Sequence, residues 1–184
     1  QAEVDEDRGA ARALVKRPYC VIHAWPAGTK SELKAWPNAN WAKLIDHLLD
    51  RGLDVVLSGA PADKASTDEL IRAAGNRDGV INSAGKLRLN QTAALLEGAV
   101  CNISVNTGIM HLAAALPPPL VALHGPTNPL RWGPVSPSAI NIVPEGEGCG
   151  YLNLGFEYPE NPPDCMGRIG AETVIGAVEQ ALSR

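Results

Sequence analysis

The stretch Val100-Cys101-Asn102-Ile103-Ser104-Val105-Asn106-Thr107-Gly108-Ile109-Met110-His111-Leu112-Ala113-Ala114-Ala115-Leu116 reads as one strand-turn-helix unit. Val100 to Val105 is rich in β-branched residues and suits a buried strand. The compact apolar run of Leu112 to Leu116 suits a helix, stopped by Pro117. The chain passes from one to the other through Asn106, Thr107 and Gly108 alone. A strand feeding straight into a helix is the repeating unit of a parallel α/β sheet.

The same unit recurs on either side. Tyr19-Cys20-Val21-Ile22-His23 is a short apolar strand followed by a Pro- and Gly-containing loop. The next helix is the clearest of all, with Trp41, Leu44, Ile45, Leu48 and Leu49 on one face and Lys43, Asp46, His47 and Asp50 on the other. Pro37 and Asn38 can start it and Gly52 can end it. Further strands are expected at Leu53–Leu57, Val80–Ile81, Leu120–Leu123 and Ala139–Val143. Further helices are expected from Asp63 to Ala74, from a cap at Asn90 through Glu97, and at the C-terminus around Val174, Ile175, Val178 and Leu182. Strands alternating with helices in this way predict a doubly wound parallel sheet of the α/β class.

Composition bounds the rest. With 184 residues, 45% of them hydrophobic and 20% charged, one globular domain is expected, without a run long enough to span a bilayer. A net charge of −4 argues against nucleic acid as a partner, since that binding rests on clustered Lys and Arg. Residues 1–18 are polar and charged and read as a linker, tail or loosely attached helix, which leaves 19–184 as the domain. The chain begins at Gln1 without a charged-then-apolar leader, so a trimmed chain or excised domain with no signal peptide is expected. Cys20 and Cys101 lie in apolar strands and read as small buried hydrophobes. Cys149 and Cys165 flank an irregular segment and lack zinc-type spacing, and a reducing compartment is the default reading.

In a doubly wound sheet, ligands bind beyond the carboxyl ends of the strands. The segments expected there are Ala24–Lys34, Ser58–Pro61, Asn82–Lys86, Asn106–His111 and His124–Gly133. In the turn quoted first, Gly108 allows close backbone approach and Thr107 adds a hydroxyl beside free N–H groups, a phosphate cradle in outline. Any tight strand-to-helix turn also favours Gly and Thr, so both readings stand. His111 lies one turn beyond Thr107 on the same face. Lys30 and Lys34 precede Trp36-Pro37, and an ammonium there can bind a diphosphate or be ordinary solvated charge. Other motifs fail. G-x-G-x-x-G is missing; Gly79 to Lys86 has one residue too many for a P-loop, with Leu87 at the Ser/Thr position. Asp5-Glu6-Asp7 reads as a solvated acidic run.

Taken together, Val21-Ile22-His23, Lys34-Ala35-Trp36-Pro37 with Trp41, Val55 through Asp63, Asn106 through Ala115, and Gly125-Pro126-Thr127-Asn128-Pro129 resemble the heptosyltransferases, glycosyltransferase family nine. The resemblance runs from about Tyr19 to the C-terminus. It implies one Rossmann-like lobe of the two-lobed GT-B architecture, the C-terminal lobe that holds a nucleotide-sugar donor. It also implies inverting transfer of a heptose, usually from ADP-heptose, to the lipopolysaccharide core at the cytoplasmic face of the inner membrane. No cofactor and no fixed metal are implied. The donor-binding residues implied are Lys34, Thr107, Gly108 and His111, together with Asn106, Ser58 and Gly59. The catalytic base and the acceptor site belong to the other lobe, so no catalytic residue is expected in this chain. Asn106 departs from the acidic residue that the family commonly has before Thr-Gly; an amide keeps hydrogen bonding but not charge. A stand-alone flavodoxin-like nucleotide-binding or regulatory module and a sugar-nucleotide epimerase lobe are the alternatives of the same architecture. The receiver version of the former would need an acidic cluster after the first strand, where His23-Ala24 stands.

Overall fold

Six parallel strands form a single sheet in the order β3-β2-β1-β4-β5-β6 in the computed structural model, which describes residues 2–184. The strands are β1 (Tyr19–His23), β2 (Asp54–Leu57), β3 (Val80–Asn82), β4 (Cys101–Val105), β5 (Leu120–Leu123) and β6 (Ile140–Ile142). The helices are α1 (Ala2–Arg12), α2 (Asn38–Asp50), α3 (Lys64–Ala73), α4 (Leu89–Glu97), α5 (Gly108–Ala114), α6 (Pro129–Trp132) and α7 (Ala171–Leu182). A parallel sheet with a core on each face is the doubly wound architecture expected of the alternation, and the central strands are buried along their whole length.

Because successive strand side chains point to opposite faces, β1 feeds two cores. Cys20 and Ile22 join a core with α2, α3 and α7 that includes Trp36, Trp41, Leu44, Ile45, Leu48, Val174 and Val178. Tyr19 and Val21 join the other, with Ala11 of α1, Leu95 and Leu96 of α4, and Met110 and Ala113 of α5. Each large aliphatic side chain so buried contributes roughly 1.5–3 kcal/mol.

Residues 2–12, read from sequence as a linker or loose helix, form α1, which lies on α4. Its Asp7 carboxylate, 5% exposed, meets Arg88 at 3.2 Å, and Arg8 pairs with Glu97 at 3.0 Å. Just downstream, the Lys16 and Arg17 amides and the Arg17 guanidinium converge on buried Asp54. Burial alone would raise the Asp54 pKa, but these bonds outweigh it and hold the carboxyl below its ordinary value. Helix α4 starts two residues earlier than expected: Leu89 is already helical, and Gln91 Oε1 accepts from the Arg88 amide at 3.0 Å, so the cap is Arg88 and not Asn90. Cys149 and Cys165 form a disulfide, their Cα atoms 5.7 Å apart. The default reading of reduced thiols therefore fails for this pair, while Cys20 and Cys101 are free and buried.

Candidate functional site

Strand order reverses between β1 and β4, whose neighbours lie on opposite sides. The loops leaving these two strands must therefore part and open a crevice. One carries Lys34 and the other carries Asn106 to His111.

The loop after β1 is anchored at its far end. Trp36 is 2% exposed, its Nε1 donates to the Ile169 carbonyl at 2.9 Å, and its ring meets Trp41 edge-on at 4.6 Å. Lys34, two residues before this anchor, ends a 3-10 turn (Ser31–Lys34). Its Nζ folds back to donate to the Ala27 carbonyl at 2.7 Å, leaving two of three N–H donors free. Partial burial lowers the Lys34 pKa, with Glu32 acting the other way.

The turn after β4 is shaped by Thr107, which is extended (φ −152°, ψ 173°) and caps α5 by accepting from the Met110 amide at 3.4 Å. A Cβ built on Gly108 would meet nothing within 4 Å, so this piece of backbone faces open space. A cleft of about 420 Å³ lies against it, lined by Lys34, Asn106, Thr107, Gly108 and His111 together with Thr127, Trp132, Leu152, Gly155 and Tyr158. Five of the seven sequence-predicted site residues thus share one cleft.

Ser58 and Gly59 do not. They line a neighbouring cleft of about 670 Å³ with His23, Trp25, Asp63, Leu87, Leu89, Ile109 and Leu112, and only Ala27, Thr107 and Gly108 belong to both. The Thr107-Gly108 turn is the partition between a smaller cleft with a lysine and a larger, mainly apolar one. Ser58 is 3% exposed; its hydroxyl donates to the Ile22 carbonyl at 3.4 Å and lies 3.0 Å from His23 Nδ1. Burial lowers the His23 pKa, opposed by Asp63. At Gly59 an added Cβ would come within 2.9 Å of both Asp63 Cβ and Trp25 Cδ1, so the absent side chain lets Trp25 pack over the turn.

Sequence reasoning missed Leu152, Gly155 and Tyr158. They lie in a Gly- and Pro-rich segment without periodicity, carried to the cleft by long-range contacts. The disulfide holds its flanks, Thr127 bridges to Leu152, and the Leu152 amide donates to the Pro126 carbonyl at 2.8 Å.

The sequence model of glycosyltransferase family 9 (heptosyltransferase) matches residues 1–150. Lipooligosaccharide heptosyltransferase 2 of Haemophilus influenzae is 35% identical over 137 residues, 73% of this chain and 39% of that protein. Lipopolysaccharide heptosyltransferase 1 of Pseudomonas aeruginosa is 36% identical over 192 residues, 97% of this chain and 50% of that protein. Among solved structures, the Escherichia coli ADP-heptose lps heptosyltransferase II superposes on all of this chain and 52% of its own, with a TM-score of 0.78 and 26% identity. The chain thus spans about half the length of the relatives it matches, or less. On residues shared in order and spacing through most of its length, it belongs to glycosyltransferase family 9, the heptosyltransferases.

Proposed function

We propose that residues 19–184 are the donor-binding half of an inverting glycosyltransferase that moves a heptose from ADP-heptose to the lipopolysaccharide core. The observation that carries this reading is the meeting of Lys34 and the Thr107-Gly108 turn in one cleft at the switch point of the sheet. Free backbone N–H groups at Gly108 and Ile109 and a partly desolvated ammonium form a site for a diphosphate. When the bond between sugar and diphosphate breaks, negative charge grows on the departing phosphate oxygen. A cation already in place stabilises that charge without reorganising.

On this reading the larger, mainly apolar cleft with Trp25 and Leu89 takes the nucleoside, and the smaller cleft takes the sugar. His111, exposed at the smaller cleft, is within the site as a further donor to phosphate or sugar. A base that activates the acceptor hydroxyl, and the acceptor itself, are assigned to a second lobe of the kind that makes the relatives twice as long. No helix among the described residues is long and apolar enough to cross a membrane. We place the reaction at the cytoplasmic face of the inner membrane, where the proposed acceptor is assembled.

Calorimetry with ADP, UDP and GDP tests the reading. ADP is expected to bind best, with Lys34→Ala weakening it about tenfold or more, the worth of one hydrogen bond to a charged group. Flat traces for all three nucleotides would overturn it.

A further inference from the structure

The amide of Asn106 has only one possible orientation. Its Nδ2 lies 2.8 Å from the carbonyl oxygen of Trp132, and a carbonyl can only accept, so the atom there must be the NH2 group. The same Nδ2 lies 3.3 Å from His124 Nδ1. With nitrogen donating, Nδ1 must be the unprotonated ring atom, and the proton of the neutral imidazole must sit on Nε2. Asn141 Oδ1 waits at 2.9 Å from Nε2 to accept it. One backbone carbonyl therefore sets the whole chain, Asn141 to His124 to Asn106. His124 is 1% exposed, and burial, with the nearby His111 adding to it, lowers its pKa.

Both amide hydrogens of Asn106 are spent inside the protein. Its Oδ1 accepts no hydrogen bond among the described residues and is not one of the buried polar atoms left without a partner, so it stays accessible on the cleft that Asn106 lines. A carboxylate could not take this place unchanged, because one oxygen would face the Trp132 carbonyl at hydrogen-bond distance.

We infer that His124 is a positioning residue: it fixes the Asn106 amide so that only an acceptor, Oδ1, faces the smaller cleft, where it takes a hydrogen bond from a hydroxyl of the bound sugar. The Trp132 carbonyl takes one amide hydrogen; on the other side Nδ2 faces the buried ring at 3.3 Å and, more weakly, Met110 Sδ at 3.9 Å, and the bond to the ring holds the amide plane. The inference rests on the donor-site reading above and adds a sugar-reading group to it.

The experiment compares ADP-heptose with ADP on the full 184-residue chain, in wild type, His124→Phe and His124→Asn. His124→Phe is expected to lower the preference for ADP-heptose over ADP about fivefold, on the scale of one neutral hydrogen bond. His124→Asn, whose Oδ1 can replace the Nδ1 acceptor, is expected to restore most of it. Nitrogen-15 NMR of the wild-type imidazole is expected to show the Nε2–H tautomer. An unchanged preference in His124→Phe, equal weakening of both ligands, or an Nδ1–H tautomer would each overturn the inference. If thermal melting shows that His124→Phe does not fold, the tautomer and His124→Asn decide. Failure of either ligand to bind wild type would instead refute the donor-site reading, and this inference with it.

Discussion

The Tyr158 hydroxyl donates to the carbonyl oxygen of Thr29 at 2.8 Å, joining the irregular segment before α7 to the loop after β1. Lys30 Nζ adds a cation–π contact, 4.9 Å from the centre of the Tyr158 ring, and Tyr151 meets that ring edge-on at 6.4 Å. Beside it, the Glu157 carboxylate accepts from the amides of Asn153, Leu154, Gly155 and Phe156. Desolvation would raise its pKa, but the backbone amides of Leu154, Gly155, Phe156 and Glu157 itself together outweigh it and hold the carboxyl below its ordinary value. The result is a strap along the Lys34 cleft, tied at both ends. Tyr158→Phe keeps the ring and loses the bond. Amides of residues 28–34 and 153–158 are expected to exchange hydrogen several-fold faster, in line with a loss of about 1 kcal/mol. Exchange as in wild type would mean that the strap is held elsewhere.

The disulfide closes the loop that carries Leu152, Gly155 and Tyr158, and Cys165 stands directly before buried Met166. Closing a loop of this size contributes roughly 3 kcal/mol through the unfolded chain. Reduction, or Cys149→Ser, is expected to lower the melting temperature by roughly 5–10 °C and to weaken nucleotide-sugar binding through the loosened wall. A melting curve that ignores reductant would show that tertiary contacts alone hold the segment.

Two buried histidines set the acid limit. His23 and His124 both have pKa values lowered mainly by burial, so between their native values and the ordinary one the unfolded chain binds more protons. Their contribution to stability is complete above about pH 6.5 and is lost as the pH falls below it. Asp54, with a lowered pKa, adds a loss in the same direction at more acid pH. Thermal melts are expected to be level between pH 7 and 8 and to fall toward pH 5. Equal melting temperatures at pH 7.5 and 5.5 would contradict the assignment of both rings as neutral.

Gly59 and Gly108 should answer the same substitution in opposite ways. At Gly59 a methyl group has no room against Asp63 and Trp25, so Gly59→Ala is expected to cost roughly 1–3 kcal/mol in urea denaturation. At Gly108 the methyl group meets nothing, so Gly108→Ala is expected to leave stability within about 0.5 kcal/mol. Its effect belongs to ligand binding, where the methyl group stands in the way of close backbone approach. If ADP binds Gly108→Ala as it binds wild type, the turn is not in contact with the nucleotide.

The α/β class, the succession of elements and most of α2, β4 and β5 were legible in the sequence, because a buried helix face and a buried strand repeat their apolar residues over short, local intervals. The family resemblance was legible too, since Lys34-Ala35-Trp36-Pro37 and Asn106-Thr107-Gly108 are contiguous stretches. Strand order was not: only the pairing of β1 with β4 brings the Lys34 loop against the Thr107-Gly108 turn, and it sends Ser58 and Gly59 to the other side of that turn. Tyr158, Leu152 and His124 were decided by the tertiary structure alone. Their roles come from contacts such as those with Thr29, Thr127 and Asn106, made between residues far apart in the chain, and such contacts leave no periodic trace in the amino-acid order.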